Sequence, residues 1–306
     1  MILVITMSKS NILETTVVGS YPQILDKKEM IESYYDNNDP YINSIAKVIK
    51  DQIEAGIEVI SDGQTRKGMI ELYADGLLGF RIKERTEIIS QVKWKDPISI
   101  GDQKYVKKSI PEGINLKGII TGPWTLYNNS VDMFYKSDKD AVMDISTALS
   151  KEAKELSKVC DYVQIDEPFF SVEYPQYAEE IIHTLTKDVK VQTILHVCGD
   201  MGDIIEKLVE VDIDMLDHEF AENPSLYNSF NDIDYEQRLS VGVVTTDSKV
   251  ESTDTILDRI KKAYELFGKN CMIDPDCGLR HLNRNTAKSK LKSMVNARDA
   301  FLKNCT

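Results

Sequence analysis

Four residues carry the most chemistry in this chain: His196 and Cys198, separated by one valine, then Glu219 and Cys277. Each stands where an apolar run ends and a turn begins. An imidazole, two thiolates and a carboxylate form a donor set suited to zinc. His196 and Cys198 follow the run Val191-Gln-Thr-Ile-Leu195, and residues two apart on an extended strand point to the same side. One ion can therefore take both. Zinc fingers and ribbons draw their ligands from tight pairs. Here Glu219 and Cys277 lie far along the chain from the first two and from each other, which suits ligands delivered by separate strands of one barrel.

The elements that would have to position these side chains follow from the patterning. Short β-rich runs at 15–20, 57–62, 117–121, 162–166, 191–196, 213–219, 239–244 and 271–273 alternate with longer amphipathic stretches, most clearly 41–54, 139–158, 201–210, 253–267 and 286–303. Strand-helix alternation repeated eight times predicts an α/β fold, a single (β/α)8 TIM barrel. Residues 82–109 break the rhythm and read as an inserted β-hairpin, with Gly101-Asp102 as its turn. Residues 1–14 read as an N-terminal extension, which leaves 15–306 as the barrel. Polar motifs fall at the carboxyl ends of the strands: Gly19-Ser20, Ser61-Asp-Gly-Gln64, Thr121-Gly-Pro123, Asp166-Glu-Pro168, His196-Val-Cys198, Glu219, Thr246-Asp-Ser248 and Asp276-Cys-Gly278. In a barrel those ends converge on one face, where active sites are built.

A chain of 306 residues can bury a substantial core. Its formal charge of −13 argues against nucleic acid and against an anionic membrane surface, since both reward Lys and Arg. The apolar start, Met1 to Met7, is too short for a signal peptide and lacks a basic lead, so a cytoplasmic location is expected. Five cysteines in that setting are expected to be reduced, some of them ligands. Cys160 and Cys271 border strands and read as core residues, and Cys305 as a surface thiol. His218 alternates to the opposite strand face from Glu219 and reads as structural. His183 falls on a helix and His281 in a loop; neither is preferred as a ligand.

The segments Thr15-Thr-Val-Val-Gly-Ser-Tyr-Pro22, Tyr162-Val-Gln-Ile-Asp-Glu-Pro168, His196-Val-Cys198, Leu216-Asp-His-Glu219 and Asp274-Pro-Asp-Cys-Gly-Leu279 resemble the catalytic domain of cobalamin-independent methionine synthases, most closely the short archaeal form. The long bacterial and plant enzymes of that family carry an additional N-terminal barrel, for which this chain has no residues. The resemblance implies transfer of a methyl group to homocysteine, bound to zinc as a thiolate, to form methionine. Zinc would be held by His196, Cys198, Glu219 and Cys277. The family also implies that Asp166 takes the substrate ammonium and that Val18, Gly19 and Ser20 take its carboxylate. Asp166 can also be read as a strand end before a turn, and Val18-Gly19-Ser20 equally as a tight turn. Gln64 stands where the family offers a glutamate to the ammonium.

Asp247 stands where the family has an acid histidine. It could relay a proton if its pKa were raised, or serve as a helix N-cap near Ser248. Asn129 stands where the long enzymes stack a tryptophan on folate, and Trp124 lies too early to replace it. This directs the donor expectation to a methylated corrinoid protein or a partner-delivered methyl pterin. Ligand charge reaches a similar chemistry independently. A free thiol is only a few per cent ionised at neutral pH, a deficit of roughly 2 kcal/mol that metal binding removes. Two rivals remain: a zinc alkyltransferase acting on another small thiol such as coenzyme M, and a non-catalytic zinc-stabilised barrel.

Overall fold

The computed structural model describes residues 12–305, apart from 203 and 232. Eight strands form one parallel sheet: β1 (Glu14–Thr15), β2 (Val59–Ile60), β3 (Asn115–Thr121), β4 (Tyr162–Asp166), β5 (Gln192–His196), β6 (Met215–His218), β7 (Arg238–Val244) and β8 (Met272–Pro275). Pairing runs from β1 through β8, β7, β6, β5, β4 and β3 to β2. A parallel bridge between Thr16 and Val59 brings the two ends of that row together. The expected barrel forms. β1 and β2 are only two residues long because the chain after each leaves the ladder to build turns at the barrel mouth. There Ser61 Oγ donates to Gly19 O at 2.7 Å, and Tyr21 N donates to Gly63 O at 3.0 Å.

The main apolar core lies between sheet and helices, where Ile45, Val48, Leu116, Ile120, Ile260 and Leu291 are buried. A separate apolar cluster of Val59, Tyr162, Ile194, Met215 and Met272 fills the barrel interior toward the amino ends of the strands. The ring of helices is closed by the last one, Arg284–Cys305, against Ile42–Ala55. Asp51, fully buried on the latter helix, accepts from Arg284 at 2.6 and 3.0 Å and from Lys288 at 3.1 Å. A buried carboxylate persists only with such partners.

Three expectations are corrected. The inserted hairpin lies earlier than expected, pairing Leu77–Ile82 with Thr86–Trp94, and Ser130–Asp132 adds to it in parallel. Gly101-Asp102 is no turn; both residues belong to the helix Ile100–Ser109. The buried carboxylate of Glu152 accepts from Ile98 N, Ser99 N and Ser99 Oγ, so that helix starts on a distant side chain that local turn chemistry does not reveal. The helix expected over 201–210 reduces to the single turn Ile205–Leu208. The extension expected over 1–14 lies outside the described residues as far as 11. Leu13 and Glu14 belong to the barrel: Leu13 is fully buried, and Glu14 opens β1.

Candidate metal and substrate site

β5 ends at His196, and Cys198 follows just before the chain turns at Gly199, whose φ of 97° favours glycine. Cys277 lies just beyond β8. The donor atoms of His196, Cys198 and Cys277 all lie within 4.8 Å of one another. His196 is buried, and its Nδ1 meets Asp217 Oδ2 at 3.0 Å. Its Nε2 has no hydrogen-bond partner among the described residues. A carboxylate on Nδ1 favours the tautomer with the proton there, leaving the Nε2 lone pair for a metal. The proximity of the two thiols, with His196 beside them, holds Cys277 well below the ordinary thiol range. The neighbouring Cys277 and burial push Cys198 up. An unpaired buried nitrogen beside two sulfurs, one of them readily ionised, fits zinc.

Glu219 does not join the cluster. Its carboxylate accepts from Gly199 N at 2.9 Å and from Asn223 Nδ2 at 3.3 Å. It nevertheless sits close enough to Cys277 and His196 to interact with their charges.

The residues expected to hold an amino acid gather at the same mouth. Asp166 is buried, and its Oδ1 accepts from Gln164 Nε2 at 2.6 Å; the same amide donates to Val18 O at 2.7 Å. Burial pushes the Asp166 carboxyl up to about 6. A Cβ on Gly278 would stand 2.1 Å from Ser20 Oγ, and Leu279 N donates to Ser20 O at 2.8 Å. The loop carrying Cys277 is thereby pressed onto the Gly19-Ser20 turn. Gln64 has a left-handed φ of 49°, and its buried Nε2 has no partner among the described residues. Its backbone N donates to Asp62 Oδ1 at 3.0 Å. A non-glycine residue in that conformation stores strain of the kind found at binding sites.

Asp247 is placed differently. It is exposed, and a hydrogen bond from the buried Lys290 at 3.2 Å holds its carboxyl below the ordinary range. It also accepts from Lys249 N at 3.0 Å, as a turn residue does, and the helix Thr253–Phe267 is capped by Ser252. The raised pKa that proton relay requires is therefore reversed, and the N-cap alternative does not hold either. His281 reaches the same loop, with Nε2 2.7 Å from Thr246 O.

Residues 13–300 match the family model described as the catalytic domain of cobalamin-independent synthases. The chain belongs to that family. It is 35% identical to a methionine synthase of Methanocaldococcus jannaschii, over 92% of this chain and 97% of the relative. It is 36% identical to one from Methanothermobacter marburgensis, over 94% and 99%. A solved B12-independent methionine synthase from Shewanella sp. W3-18-1, in complex with selenomethionine, superposes with a TM-score of 0.81 at 20% identity, covering 96% of this chain and 99% of that one. At that identity the likeness speaks for the fold.

In this member of the cobalamin-independent synthase family, Trp124 is buried and donates to Glu173 O at 2.8 Å, so it is part of the frame. Asn129 is exposed and gives its amide to Thr125 O at 2.9 Å. His218 is buried beside Phe220 and Phe230, with Nδ1 3.0 Å from Val197 O, the structural place expected of it. Cys160 and Cys271 are buried as expected, and all four cysteines whose side chains are described are free. Sequence reasoning missed Gln164 and Asp217. Both are polar residues on the inward face of a strand, two before Asp166 and Glu219 respectively, and that alternation was the signal available.

Proposed function

We propose that this chain transfers a methyl group to the sulfur of homocysteine, giving methionine, at a zinc ion held by His196, Cys198 and Cys277, with Glu219 as a displaceable fourth ligand. The observation that carries this reading is the buried His196, with its Nε2 unpaired among the described residues and a ring nitrogen grouped within 4.8 Å with two cysteine sulfurs. Relatives named methionine synthase, matching over nearly the whole chain, support the same reaction. When bound, zinc would supply the Lewis acidity that keeps a substrate sulfur deprotonated at neutral pH.

The chain's own residues do the rest. Asp166 accepts from the substrate ammonium and, through Gln164, is fixed against Val18, so amine and carboxylate recognition are tied together. The Val18-Gly19-Ser20 turn offers hydrogen-bond donors to the carboxylate, and the Gln64 amide extends toward the same space. In the transfer the sulfur lone pair forms the new S–C bond while the donor–methyl bond breaks and the donor leaves with its electron pair. The thiol proton goes to solvent beforehand.

The donor is a methylated corrinoid protein or a methyl pterin brought by a partner, since exposed Asn129 offers no stacking ring. A thiol lacking the ammonium, such as coenzyme M, would gain nothing from Asp166, whose charge-assisted hydrogen bond is what favours homocysteine. A purely structural zinc would be enclosed by four ligands, whereas Glu219 stands outside the cluster. Zinc X-ray absorption with and without homocysteine tests the reading. One further sulfur neighbour and release of about one proton per site at neutral pH are expected. Unchanged coordination would refute it.

A further inference from the structure

Glu219 and Cys277 follow strands that are not neighbours, because β7 stands between β6 and β8 in the sheet. The ladder alone therefore leaves the spacing of their two loops open. Asp276 bridges them. It is buried, immediately precedes Cys277, and uses both carboxylate oxygens: Oδ1 accepts from Ala221 N at 2.9 Å and Oδ2 from Glu222 N at 2.7 Å. Those two amides come directly after Glu219-Phe220. Asp276 N donates to Val244 O at 2.8 Å, so the same residue is also fastened to the end of β7. Its side chain crosses β7 at Gly242, where a Cβ would stand 2.2 Å from Asp276 Oδ1. Any side chain there would push the carboxylate aside.

A turn gripped at two successive amides has little freedom left, and this one is short. Asn223 N donates to Glu219 O at 3.1 Å, closing the turn on the residue that opens it. The Glu219 carboxylate in turn reaches Gly199 N at 2.9 Å, next to Cys198. We infer that Asp276 is a positioning residue for the metal site: by clamping the Ala221-Glu222 turn to the residue beside Cys277, it holds Glu219 within reach of an ion at the cysteines. The clamp needs two acceptor oxygens. Asparagine offers one, and sets an amide donor against the other backbone N–H. The inference rests on the zinc reading above and adds to it a side chain whose own oxygens are taken up by the backbone.

Zinc affinity, measured by chelator competition on the purified chain, tests the inference together with thermal unfolding of the metal-free protein. Removing a group that orients a metal ligand typically weakens binding roughly 10–100-fold, so Asp276→Asn should weaken zinc about tenfold, and Glu219→Gln by a comparable factor. The double variant should lose little more than either single, because the clamp acts through Glu219. Additive losses overturn the inference. If Asp276 merely props the barrel, Asp276→Asn lowers the unfolding temperature with zinc affinity unchanged, and the inference falls equally. In the unaltered chain, where folding is not in question, the amide protons of Ala221 and Glu222 should exchange slowly with deuterium, and more slowly once zinc is loaded. Fast exchange, or exchange blind to zinc, would also refute it. Failure of the unaltered chain to bind zinc at its cysteines would remove the site reading itself, an outcome distinct from all of these.

Discussion

At the scale of single residues, the site divides between groups that would hold a metal and groups that would hold an amino acid, and each can be tested alone. Cys198→Ser and Cys277→Ser should each drop metal content far below about one zinc per chain, with far-UV circular dichroism unchanged, because the barrel has its own core. Full zinc retention in both would reject the ligand set. Asp166→Asn should weaken homocysteine by roughly 1.5–3 kcal/mol, the worth of a hydrogen bond to a charged group, and leave a thiol without an amine nearly unaffected. Binding calorimetry with the two thiols separates these outcomes.

The pH dependence of Asp166 has a definite sign. Burial raises its carboxyl from the ordinary 3.8 to about 6, so the anion that would pair with a substrate ammonium is present above about 6 and lost below it. Homocysteine affinity should fall as pH drops through that value, and the Asn variant should be flat there. The same raised pKa means that the native chain holds the proton more tightly than the unfolded one. The resulting stability is present below 3.8 and disappears as pH rises through about 6. Asp247 was legible as a polar residue at a strand end, but its state was not. Lys290, far along the chain, decides it.

At the scale of elements, the strands were readable because buried parallel strands are continuous apolar runs ended by polar turns. β4 occupies the predicted 162–166, and β3, β5 and β7 differ from prediction by two residues or fewer at one end. The inserted hairpin was placed too late because the signal that starts the Ile100–Ser109 helix is Glu152, a side chain on another helix. Gln164 was missed because attention to strand ends overlooks the strand interior. The seam between the β1 and β8 loops is likewise invisible in sequence. Gly278→Ala would put a methyl group 2.1 Å from Ser20 Oγ. The resulting strain of about 1–3 kcal/mol should weaken homocysteine about fivefold or more in calorimetry. Gly101→Ala on an exposed helical face, with nothing within 4 Å, is the control and should gain up to about 1 kcal/mol in denaturant unfolding.

At the scale of the whole molecule, one barrel carries both halves of the proposed site on a single face, and no described helix is long and apolar enough to cross a membrane. The methyl donor is the property best tested with the intact chain. Methylcobalamin or a methylated corrinoid protein should yield methionine from homocysteine. Free methyltetrahydrofolate should yield little, since a missing aromatic stack is worth about 1–3 kcal/mol by analogy with base stacking. Efficient turnover on the folate alone, followed by methionine formation, would overturn that assignment.

The apolar cluster of Val59, Tyr162, Ile194, Met215 and Met272 has a consequence for traffic. With that end of the barrel corked, an ion seated at the cysteines has the substrate's own doorway as its route out. A resident amino acid is then also a stopper. Chelators should strip zinc more slowly as homocysteine or methionine is added, and the enzyme should keep its metal best while it is at work.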